Sequence, residues 1–160
     1  MNLQDATKLA HEKMNEHGLL DQGWILRFSS AKRAFGACYY SRKVIKLSRY
    51  LVSLNDETSV LNTILHEIAH ALAGPQHHHN HYWKAVAKHI GCDGSRCYDS
   101  TQVMRPESRY RLTCPNCDRQ IRRHRRPKAQ ACSVCCNKYN HGQYTEKFRF
   151  IVIDTKRKEY

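Results

Sequence analysis

Leu3, Ala6, Leu9, Ala10 and Met14 recur at helical spacing, which predicts an amphipathic helix over residues ~3–17, ending near Gly18. The period then shortens. Trp24–Phe28, Ala34–Tyr40 and Val44–Leu47 are brief β-prone runs separated by polar or basic breaks, and they predict a three-stranded meander. Asn55-Asp56-Glu57 supplies an N-cap candidate and first-turn acids. Val60, Leu61, Ile64, Leu65, Ile68 and Leu72 follow at helical spacing until Gly74-Pro75 stops the helix. A further helix, starting near Asn80, carries Trp83, Val86, Ala87 and Ile90 to Gly91. Cys92 to Pro106 has no periodicity and is expected to connect. Short strands are expected at Arg109–Thr113 and Phe148–Ile153.

The chain has 160 residues, 41% of them hydrophobic, enough for one domain with a small appendage. The change of pattern places the boundary between residues 1–106 and 107–160. No apolar run approaches the ~18 residues of a membrane span. Met1 to Met14 is polar and amphipathic, unlike a signal peptide, so a cytoplasmic protein with no membrane partner is expected. The net charge of +13 is uneven. Residues 1–100 carry 12 Lys/Arg against 9 Asp/Glu, whereas residues 101–160 carry 15 against 5. A basic C-terminal third points to a polyanion, most simply nucleic acid.

His66-Glu67-Ile68-Ala69-His70 lies inside the strongest helical pattern. His66 and His70 are one turn apart on the same face, where both imidazoles can reach one zinc ion. Glu67 adjoins the first ligand and can act as general base toward a water activated by the metal. With 11 histidines and 7 glutamates in 160 residues, H-E-x-x-H arises by chance roughly 0.03 times. A catalytic zinc site needs a third protein ligand. His77, His78, His79 and His81 all compete for that role, and spacing alone does not choose among them.

Eight cysteines in a chain without a secretory signal favour metal thiolates over disulfides. Cys114-Pro115-Asn116-Cys117 and Cys132-Ser133-Val134-Cys135 have the spacing of a zinc ribbon, a closed structural site with no open coordination position. Cys136 adjoins the second pair, but the matched spacing favours Cys135. Cys38, Cys92 and Cys97 are expected to be buried thiols. Between the pairs, Arg119, Arg122, Arg123, Arg125, Arg126 and Lys128 form a cluster suited to phosphate contacts. Tyr110, Tyr139 and Tyr144 either stack on unpaired bases or pack in strands.

His66 to Pro75, followed by His79 four residues before Trp83, resembles the SprT-like, Spartan-related metallopeptidases. Their motif is H-E-x-x-H, a loop, then a histidine opening the next helix four residues ahead of a bulky aromatic. The resemblance implies His66, His70 and His79 as ligands of a catalytic zinc, with Glu67 as base and Trp83 packing behind the metal helix. The family's third ligand is commonly followed by glycine, and Asn80 stands there in this chain.

SprT-like proteins commonly carry a C-terminal zinc ribbon, so the likeness runs over nearly the whole chain. It implies two zinc ions, one catalytic and one structural. As partners it implies DNA, single-stranded or junction-containing, and protein substrates bound or crosslinked to that DNA. The fold expected is α+β, with a small antiparallel sheet packed on zincin-type HExxH helices and followed by a zinc ribbon. Two other readings are open: a non-catalytic zinc-dependent nucleic-acid-binding protein and a general cytosolic peptidase. Glu67 argues against the first, since a scaffold needs no base beside its metal.

Overall fold

The computed structural model describes residues 1–96 and 103–156. The chain divides into two compact units, Met1–Pro106 and Glu107–Tyr160. The architecture is α+β, with small sheets and helices in both.

The first unit opens with helix α1 (Leu3–Glu16), where the Asn2 side chain accepts from the Asp5 N–H at 2.8 Å. Strands β1 (Ile25–Ser29), β2 (Gly36–Tyr39) and β3 (Val44–Ser48) follow, but they do not form the meander. The order is β1-β3-β2, with β1 parallel to β3 and β2 antiparallel to it, so the sheet is mixed. Burial explains the order. Val44, Ile45, Leu47 and Ser48 bury both faces of β3, which therefore takes the centre, whereas Ile25 of β1 and Tyr39 of β2 are exposed and suit edges. The Ser48 hydroxyl then caps α2 (Arg49–Leu54), accepting from the Leu51 N–H at 3.2 Å. Six residues are too few to show a helical period, so the hydrophobic pattern predicts no helix there.

Helix α3 (Glu57–Ala73) is capped by Asp56, whose carboxylate accepts from the Ser59 N–H at 2.8 Å. One stripe of it, Val60, Ile64 and Ile68, packs into the main core with Met14, Leu47 and Leu51. A second stripe, Leu65, Ala69 and Ala73, packs on Trp83 and Ala87 of α4 (His81–His89). The small side chains of Ala69 and Ala73 let α3 and α4 approach closely.

In the second unit, β4 (Tyr110–Thr113), β5 (Gln120–Arg123) and β6 (Ile151–Asp154) form an antiparallel sheet of order β5-β4-β6. The last strand starts later than expected, because residues Glu146–Phe148 make a 3-10 turn. The second cysteine pair opens a helix, α5 (Ser133–Tyr139), rather than lying among strands. Leu112, Phe148, Phe150 and the buried cysteines form this unit's own core. Among the described residues, no helix is long and apolar enough to cross a membrane.

Candidate active site and metal centres

His66 and His70 project from the same face of α3, one turn apart. Gly74 ends that helix at φ 91°, a left-handed conformation that glycine adopts without strain. A 3-10 turn over Pro75–His77 then leads back toward the helix. Asn80 caps α4, its side chain accepting from the Trp83 N–H at 3.1 Å, with extended backbone at φ −74°. No glycine is needed there, and asparagine contributes a cap that glycine lacks.

This path brings His79 over α3. Its Nε2 lies 3.0 Å from His70 Nε2 and 3.1 Å from His66 Nε2. One nitrogen offers either a proton or a lone pair, so ordinary hydrogen bonds do not satisfy both contacts at once. A central cation satisfies all three lone pairs. Zinc with Zn–N of about 2.0–2.1 Å and tetrahedral angles separates its ligands by about 3.3–3.4 Å, close to what is seen. His77, His78 and His81 stand outside the group. The Trp83 ring, fully buried, packs against all three clustered imidazoles, with centroids 4.7 Å from His66, 5.0 Å from His70 and 4.6 Å from His79. It forms the floor beneath them.

Burial, then the neighbouring His79, holds the His66 imidazole down to a pKa of about 4. Burial, with His66 and His79 next, does the same for His70, also to about 4. His79 is lowered by burial and by Arg96. Neutral imidazoles are the form a metal requires. Glu67 is only 6% exposed, and burial pushes its carboxyl up to about 8. It lines a cleft of about 470 Å³ together with His66, Phe35, Gly36, Asn62 and Asp93. Cys38, expected in the core, is half-buried on β2 and raised to about 12 by burial and by Glu67.

In the second unit the Sγ atoms of Cys114, Cys117, Cys132 and Cys135 lie within 4.8 Å of one another. Cys114 to Cys135 and Cys117 to Cys132 are each 3.7 Å, too long for a disulfide. A tetrahedral zinc with Zn–S of about 2.3 Å separates its sulfurs by about 3.8 Å, which fits. Cys136 is buried outside the group, Cys92 is buried in the first unit, and Cys97 lies outside the described residues.

Of the basic residues, Arg119, Arg122, Arg123, Arg125, Arg126 and Lys128 are all exposed. Arg111, outside the basic cluster in sequence, sits directly opposite Arg122 in the β4–β5 register. Only the pairing of the two strands reveals it. Tyr110 is buried in the core and so packs rather than stacks, whereas Tyr139 and Tyr144 are exposed. Gly36, Asn62 and Asp93 belong to no sequence motif either. The one sequence signal for Asn62 is its place one helical turn before His66.

Residues 3–103 match the SprT-like family. Protein SprT of Glaesserella parasuis serovar 5 is 29% identical over 113 residues, covering 66% of this chain and 72% of that protein. An uncharacterized protein of Mycoplasma pneumoniae is 58% identical over 36 residues, a match spanning 22% of this chain and 10% of that protein. The family match spans more than half of the chain, which therefore belongs to the SprT-like family.

Proposed function

We propose that this chain is a zinc-dependent endopeptidase acting on proteins bound or crosslinked to DNA. The observation that carries the reading is the convergence of three imidazole nitrogens beside a cleft that Glu67 also lines. In this reading His66, His70 and His79 hold the catalytic ion, and Cys114, Cys117, Cys132 and Cys135 hold a structural one. Zinc, when bound, supplies a water of lowered pKa and a Lewis acid for the scissile carbonyl. The protein's own residues do the rest. Glu67 accepts the proton of the attacking water and delivers it to the departing amine. Its burial favours the protonated state it must pass through. Trp83 fixes the three rings, so little reorganisation is needed during turnover.

The DNA part rests on charge. Like charges facing one another across a sheet are destabilising unless an anion neutralises them, and Arg111 and Arg122 are such a pair. The surrounding exposed arginines extend the patch, and Tyr139 and Tyr144 offer flat surfaces to unpaired bases.

Cleavage of casein and of histones, with and without single-stranded DNA, tests the proposal, with Glu67→Gln as control. Zinc-dependent cleavage that DNA enhances and Glu67→Gln abolishes supports it. Equal cleavage with or without DNA reduces the protein to a general peptidase. DNA binding with no cleavage at full zinc loading leaves a non-catalytic binding protein.

A further inference from the structure

Asn62, His66 and His70 succeed one another at four-residue intervals on α3 and share a face. The Asn62 amide is engaged by Asp93. Its Nδ2 donates to Asp93 Oδ2 at 3.0 Å, while its Oδ1 accepts from the Asp93 backbone N–H, also at 3.0 Å. The other Asp93 oxygen, Oδ1, accepts from the Ser95 N–H at 2.7 Å. Gly94, between them, takes φ 72°, which lets the chain turn within this short span. Two hydrogen bonds therefore fix Asp93 against the ligand-bearing face of α3, and a third, within the turn, ties Ser95 to Asp93.

Ser95, held there, lines the same cleft as His66, and its backbone favours a proton on the imidazole, as a carbonyl does. The His66 Nε2 points into the histidine group, 3.1 Å from His79 Nε2, so Nδ1 is the nitrogen left for the Ser95 carbonyl. A proton held on Nδ1 puts the lone pair on Nε2 and sets the plane of the ring.

We infer that Asn62 and Asp93 are positioning residues that orient His66 for metal binding by holding the Ser95 carbonyl against its Nδ1–H. The inference rests on the metal centre proposed above. Asn62 acts on His66 through Asp93 and Ser95.

The polarity of the pair makes a swap experiment decisive. Asn62→Asp sets two carboxylates against each other, and Asp93→Asn sets two amide donors against each other. The double variant Asn62→Asp/Asp93→Asn restores all three hydrogen bonds, with donor and acceptor exchanged in the side-chain pair. Zinc affinity of the histidine site is measured by chelator competition on protein whose cysteine site is already loaded. Cobalt(II) absorption at the histidine site reports ligand geometry. Each single variant is expected to weaken zinc binding by about 10- to 100-fold and alter the cobalt spectrum, as loss of an outer partner of a metal ligand does. The double variant should recover affinity and spectrum, with zinc binding at the cysteine site unchanged throughout. Single variants that bind zinc like wild type would overturn the inference. So would a double variant that unfolds at the wild-type temperature yet binds as weakly as the singles. Wild-type protein that takes no zinc at the histidines would instead overturn the metal centre itself, and this inference with it.

Discussion

Gly36 and Glu67 approach so closely that no side chain fits between them. A Cβ at position 36 would stand 2.7 Å from Glu67 Cγ and 2.8 Å from Cδ. The Gly36 backbone is ordinary strand, so glycine is required here for space and not for conformation. The edge strand β2 thus presses on the side chain proposed as base, and its missing methyl sets where that carboxylate can lie.

Gly36→Ala should therefore displace Glu67 while leaving the three imidazoles untouched. A shift of about 1 Å at a reacting group costs on the order of 100-fold in rate. Turnover should fall by that order at unchanged zinc affinity. Wild-type turnover in this variant would show that the Glu67 position is not critical.

The raised Glu67 and the lowered histidines make a prediction about protons. At pH 7 His66 and His70, near 4, are already neutral, while Glu67, near 8, is protonated in the metal-free protein. Arrival of a divalent cation favours the carboxylate, so zinc binding at the histidine site should release about one proton, and that proton comes from Glu67. Wild-type affinity should fall as pH drops below 8, whereas Glu67→Gln should release almost none and bind evenly until the histidines protonate. The sign for stability follows from the same shift. A carboxyl raised from 4.5 to about 8 on folding binds its proton more tightly when folded. The metal-free fold should then lose stability as pH rises through that window, relative to Glu67→Gln. Calorimetry in buffers of different ionisation enthalpy, with the cysteine site loaded beforehand, measures the proton count.

Among the four histidines after Gly74, His79→Ala should weaken zinc binding at the histidine site by more than the about 100-fold that loss of an outer partner can cost. His77→Ala, His78→Ala and His81→Ala should change it little, since none joins the group. Zinc content after dialysis against a chelator separates the four. Equal losses across the series would remove His79 from the assignment.

Neutralising Arg122, Arg123, Arg125 and Arg126 together should weaken DNA binding and flatten its salt dependence. Each lost phosphate contact removes close to one released counterion, so the slope should fall by up to ~3–4 units. Cleavage of a short peptide without DNA should persist, because the proposed catalytic residues belong to the other unit. Cleavage of a DNA-bound protein should drop as tethering is lost. An unchanged slope, with the cysteine site still loaded, would mean these arginines do not contact phosphate.

The features legible in the chain alone are those that repeat over short distances. The helical period puts His66, Glu67 and His70 on one turn of a helix, and C-x-x-C spacing pairs the four cysteines. These patterns can be read directly because a helix turn or a knuckle brings neighbours together whatever the rest of the chain does. Other matters depend on distant segments and were settled by folding. Burial of both faces of β3 put it at the centre of a mixed sheet, which three similar β-prone runs did not disclose. The close packing of α3 on α4 gathered His79, and left three other histidines outside. Folding also set Gly36 against Glu67, Asn62 on Asp93 and Arg111 opposite Arg122, pairs separated by 31, 31 and 11 positions. No local period encodes such contacts, because they exist only once burial of the core has brought remote strands and helices together.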